Sequence, residues 1–87
     1  MTEQTFIDLG FKRNDITVNN QSFYYYSLDI GNTGLTTNAS DEAEHIGWQC
    51  WKATFSANPL ASEVKDLDEL ENLVRTLQNN VKENENI

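Results

Sequence analysis

Basic residues are scarce in this 87-residue chain. Six Lys and Arg stand against fourteen Asp and Glu, a net charge of −8 and a pI near 4.3. That field repels nucleic-acid phosphates and anionic lipid and attracts basic partners. A single cysteine, Cys50, excludes an intramolecular disulfide and a cysteine-rich metal site. The longest uninterrupted apolar run is four residues, Phe23 to Tyr26, against the roughly 20 a spanning helix requires. The opening MTEQTFIDLG has neither a basic region nor an apolar segment, so no signal peptide is expected and a cytoplasmic location is. One proline and four glycines mark few breaks, and there is no linker-like stretch and no internal repeat.

What is present is apolar enough to fold: 38% hydrophobic and 10% aromatic residues exceed what a disordered tail carries. At 9.9 kDa one domain is the sensible count, with a thin two-layer core. It is expected to occupy residues 1–82, followed by a frayed polar tail at 83–87. The charge is uneven. Residues 1–40 hold two basic and four acidic side chains, and residues 41–87 hold four and ten.

Ser22 to Ile30 is the strongest strand, because its aromatics suit a pleated, half-buried surface. A period of two puts Tyr24, Tyr26, Leu28 and Ile30 on one face, read as the core. Phe23, Tyr25, Ser27 and Asp29 take the other. Gly31 to Gly34 then makes a turn, and Leu35 to Asn38 a return strand. Trp48 to Phe55 is a second strong strand, with Trp51, Ala53 and Phe55 on the face read as core and Trp48 and Cys50 opposite; Ser56 to Pro59 ends it. Phe11 to Ile16 reads as a short or edge strand with a turn at 19–21, and Glu63 to Lys65 as a short strand or a lead into a helix. Phe6 to Leu9 forms a helical turn stopped by Gly10, or else Phe6 to Phe11 begins a strand. Residues 38–47 read as a polar loop with one helical turn.

The clearest helix is expected at residues 67–81. Asp66 stands at its cap with Glu69 three residues on. Leu67, Leu70, Leu73, Val74, Leu77 and Val81 form its apolar stripe, and Glu71 and Arg75 are spaced for an ion pair. The expected fold class is therefore α+β: an antiparallel meander of three to four strands, one C-terminal helix packed on one face, and a short helix as one reading of the N-terminus.

Little here suggests chemistry. His45 follows Asp41, Glu42 and Glu44, but the spacing fits no zinc or calcium motif, so no metal is expected and the plain reading is a solvated acidic loop. Cys50 as a nucleophile would need His45 as its base; a packed or half-exposed small apolar residue between two tryptophans is the better reading. Gly31 and Gly34 lack the lysine and helix of a phosphate loop. A sheet with one covering helix leaves little pocket volume, so no catalytic residue and no cofactor is expected.

The ordered pieces Leu9-Gly10-Phe11, YYYSLDIG at 24–31, TTNASDE at 36–42 and KDLDELENLV at 65–74 resemble those of small bacteriophage and prophage proteins, mostly uncharacterised. The resemblance spans about residues 6–78, and its motifs are structural. It implies no active site. It does imply that the chain acts by binding and redirecting or blocking a host protein.

These readings lead to a non-enzymatic interaction module whose partner is a host protein with a basic surface. Phe23, Tyr25 and Trp48 are expected as apolar anchors on an outer sheet face, with Asp41, Glu42 and Glu44 steering the partner. The competing expectation for those rings is that Phe6, Ile7 and Leu9 fold back and cover them. One alternative is an acidic nucleic-acid mimic using Glu42, Glu44, Glu63, Asp66, Asp68, Glu69 and Glu71. Another is a homodimer closed through the aromatic face. Direct nucleic-acid binding would need Lys and Arg between the rings, and only Lys52 is so placed.

Overall fold

The computed structural model describes residues 1–54 and 62–85. In chain order they form α1 (Glu3–Asp8), β1 (Lys12–Val18), β2 (Gln21–Ile30), β3 (Thr33–Thr37), α2 (Ser40–Ile46), β4 (Cys50–Thr54), β5 (Ser62–Val64) and α3 (Leu67–Glu85). The strands pair antiparallel as one sheet in the order β1-β2-β3-β4-β5, so the meander holds with five strands rather than three or four. Glu63 to Lys65 resolves as a strand at Ser62–Val64. Phe55 and the break at Ser56 to Pro59 lie outside the described residues.

The N-terminal ambiguity resolves as helix. Thr5 N–H donates to Thr2 Oγ1 (3.4 Å), and Thr2 N–H donates to Thr5 Oγ1 (3.1 Å), a reciprocal cap. Gly10, at φ 91°, ends the helix. Six residues are too few to stay helical alone; burial of Phe6, wholly inaccessible to solvent, holds them. The β1–β2 turn places Asn19 (φ 52°) and Asn20 (φ 66°) in the left-handed region. Asparagine tolerates that region, and such a turn matches the twist of the flanking strands.

β1 pairs along its whole length with β2, from Val18↔Gln21 to Lys12↔Ser27, while β3 reaches only Ser27 to Ile30 of β2. Side chains take over where that ladder stops. Tyr26 N–H donates to Thr37 Oγ1 (2.9 Å) and Tyr24 N–H to Ser40 Oγ (3.1 Å), so the start of α2 completes the bonding of β2. The polar loop with one helical turn expected at 38–47 is thus largely a seven-residue helix, stopped at Gly47 (φ 84°).

The inner face of the sheet carries Tyr26, Ile30, Leu35, Cys50 and Val64, closed over by Phe6 and Phe11 at one end and by Leu70 and Val74 of α3 at the other. Asp66 Oδ1 accepts from Glu69 N–H (2.8 Å), while Glu69 Oε2 accepts from Lys65 N–H (3.0 Å), so the capping box is displaced by one residue. The helix continues to Glu85, beyond the expected end at 81. Leu67 lies off its buried stripe, 39% exposed. Near its other end α3 passes over the β2–β3 turn, where a Cβ on Gly31 would come within 3.3 Å of Val81. Glu71 and Arg75 make no ion pair. Among the described residues the ion pair is Arg13–Asp15, at 3.0 Å, which agrees with the small gain from fixing two exposed, flexible side chains.

One reading of the sheet is inverted. The alternation along β4 is as expected, but the core side is that of Cys50, which is fully buried, not that of Trp51. Cys50 pairs with Thr37 and Val64. Cys50 and Val64 of this row of small side chains share one buried cluster with Leu70 of α3, and a close-packed core has no spare volume for an indole there.

Candidate functional site

The six residues expected to form one docking site separate onto two faces. Phe23 and Tyr25 lie on the outer face of β2, half-buried. Phe23 sits opposite Ile16 and Tyr25 opposite Asn14. Ile16 and Val18 of β1 are 38% and 51% exposed on that face. Trp51 lies there too, in the row Lys12–Ser27–Thr36–Trp51–Glu63. The N-terminal segment does fold back, but Phe6 packs on the inner face against Tyr26 (ring centroids 6.1 Å apart) and leaves Phe23 and Tyr25 uncovered by α1.

Trp48 is the correction. It precedes β4, so strand alternation does not set its direction. Its ring packs on the inner face 5.9 Å from Phe6, 6.0 Å from Tyr24 and 5.7 Å from Tyr26, centroid to centroid. Asn38 holds the chain on both sides of it, donating from Nδ2 to Gly47 C=O (2.9 Å) and accepting at Oδ1 from Gln49 N–H (3.0 Å).

Of the three acids, Asp41 and Glu42 occupy the first turn of α2, exposed, where negative charge complements the helix dipole. Glu44 instead lines an open recess of about 350 Å³ with Glu3, Ser22, Tyr24, Ser40, Ala43 and Trp48. Little pocket volume was expected of this fold; two short helices standing beside the sheet make the difference. Glu3 enters from α1, where its carboxylate accepts from Tyr26 Oη (2.6 Å). No sequence signal links residues 23 apart, so Glu3 was not legible. Tyr24, read as core, forms a wall of the recess, and the Arg13 guanidinium lies 3.8 Å from its ring centroid.

Burial first, and then the bond to Glu3, push the Tyr26 hydroxyl up to about 12. The Glu3 carboxylate leads in raising Tyr24, with burial second. Burial likewise pushes the Cys50 thiol up to about 12, against a weaker opposing bond from the Thr36 backbone. A thiol so placed is the reverse of an activated nucleophile. His45 is exposed in the last turn of α2. Among the described residues no three His, Cys, Asp or Glu side chains converge as a metal would require, and no helix is long and apolar enough to cross a membrane.

Two consequences are measurable. Native Cys50 should react with a thiol reagent at pH 8 about a hundredfold or more slowly than in urea; equal rates would mean that the thiol is not buried. Tyr26 and Cys50 both bind their protons more tightly folded than unfolded. Their contribution to stability is therefore complete below the unfolded values of 10.0 for Tyr26 and 9.0 for Cys50 and is lost as pH climbs through about 12. The melting temperature should fall across that window, and less steeply in Cys50→Ala.

Fold and surface together define a small α+β domain whose described residues place three helices on one face of a meander and leave an aromatic-bearing opposite face. No protein-family model matches the chain, and no curated protein and no solved structure matches it.

Proposed function

We propose that this chain is a non-enzymatic interaction module, a phage accessory protein that binds and redirects or inhibits a host protein with a basic surface. The observation that supports docking is the contiguous set Val18, Ile16, Phe23 and Tyr25 on the outer face of the β1–β2 hairpin. All three described helices meet the sheet from the other side. Exposed apolar side chains grouped this way, with a tyrosine among them, suit a protein interface. The phage assignment rests on the resemblance of the segments quoted above.

The net charge of −8 favours a basic partner over a second copy, which would bring an equal field of the same sign. The free edge of β1 carries Lys12, Arg13 and Asp15, charges that oppose strand-to-strand pairing.

The test compares the wild type with Phe23→Ser/Tyr25→Ser as baits in nuclease-treated host lysate. A single protein retained near equal stoichiometry by the wild type should be lost by the double variant, which should keep a cooperative unfolding transition because neither ring is core. Unchanged retention by a folded double variant would overturn this docking face. No retention, together with a scattering mass near twice 9.9 kDa, would replace it with the homodimer.

A further inference from the structure

The inner-face recess is separate from the outer docking face, and its chemistry is more specific. We propose that it binds the guanidinium group of an arginine side chain presented by a partner polypeptide. Tyr24 and Trp48 stand with centroids 6.0 Å apart and planes inclined by 39°, offering π-faces to a flat cation. Glu3 and Glu44 bring two carboxylates to the lining, Ser22 and Ser40 add hydroxyl acceptors, and among the described residues no basic side chain lines the recess itself. The Tyr26 hydroxyl fixes the Glu3 carboxylate, so an arriving cation meets a positioned acceptor rather than one it must order. About 350 Å³ is ample for the head of one such side chain.

The chain itself makes a contact of the same kind on one of these rings. Arg13 lies 3.8 Å from the centroid of the Tyr24 ring while it pairs with Asp15. Arginine fits better than lysine because its planar, weakly hydrated head stacks on aromatic rings and donates in a fork to carboxylates. A polypeptide source fits better than free arginine, whose own carboxylate would be repelled by Glu3, Glu44 and the surrounding negative field.

The inference does not depend on the outer face, and its test needs no partner. The blocked tripeptide acetyl-Gly-Arg-Gly-amide is titrated into isotopically labelled protein and followed by NMR at the Trp48 indole. Trp51, on the opposite face, serves as the internal control. The expected result is a saturable shift at Trp48 and none at Trp51. The same peptide with citrulline, isosteric and uncharged, should bind at least about tenfold more weakly, and Glu44→Gln should weaken arginine binding about threefold or more. Equal binding of the arginine and citrulline peptides, or binding unaffected by Glu44→Gln, would overturn the site. Free arginine binding as tightly as the peptide would overturn the polypeptide source.

Discussion

Phe6→Ala should lower stability by about 4 kcal/mol, the upper range for a buried aromatic truncation. A domain of this length holds about 4–13 kcal/mol in total, so the variant is expected to lose about a third or more of its stability. Phe6 is fully buried and touches three rings, with centroids 5.2 Å (Phe11), 6.1 Å (Tyr26) and 5.9 Å (Trp48) away; aromatic pairs add to the area they bury. The loss also spreads beyond the cavity. Without its anchor the six-residue α1 has no reason to persist, and Glu3 then leaves the buried Tyr26 hydroxyl without its acceptor. Urea unfolding checks this through a large drop in midpoint, while Phe6→Leu should keep most of the stability. A drop below about 1 kcal/mol would mean that α1 does not close the core.

Asn38→Ala should cost about 2–3 kcal/mol although it removes only one polar group. The side chain is 6% exposed and binds the carbonyl before Trp48 and the N–H after it. Alanine leaves both partners unanswered in a partly buried setting, and each such group carries a desolvation penalty of about 1–3 kcal/mol. Trp48 would then be free to leave the inner face. Amide exchange at Gln49 should accelerate along with the fall in melting temperature, and the Trp48 indole should lose its distinct chemical shift. Asn38→Asp is no rescue: it keeps the acceptor for Gln49 but removes the donor to Gly47. A variant with native exchange at Gln49 would show that the clamp is not holding this segment.

The two predictions rest on residues of different legibility. Phe6 was one of two open N-terminal readings, since a helical turn and a strand start share its pattern over so few residues. Asn38 stood only at the end of a return strand, because nothing local marks a side chain that will satisfy backbone groups nine and eleven positions later. Of the candidate interface, Phe23 and Tyr25 were placed by alternation within an unbroken strand. Trp48 was misplaced because it lies two residues before β4 begins, where alternation has no force. Trp51 was placed on the core face together with Ala53 and Phe55, yet the core row needed the smaller Cys50.

Local chemistry in the sequence determined the α+β class, the alternation of β2, a turn at residues 19–21, the helix start at Asp66 and the acidic field. Each follows from propensity, period or charge count within a few neighbouring residues. Only the tertiary structure decided which side of β4 is covered, that α1 closes the inner face, and that Glu3, Tyr24, Glu44 and Trp48 meet in one recess. Those outcomes depend on which volumes fit between α3 and the sheet and on contacts between residues far apart in the chain, and no periodicity encodes either.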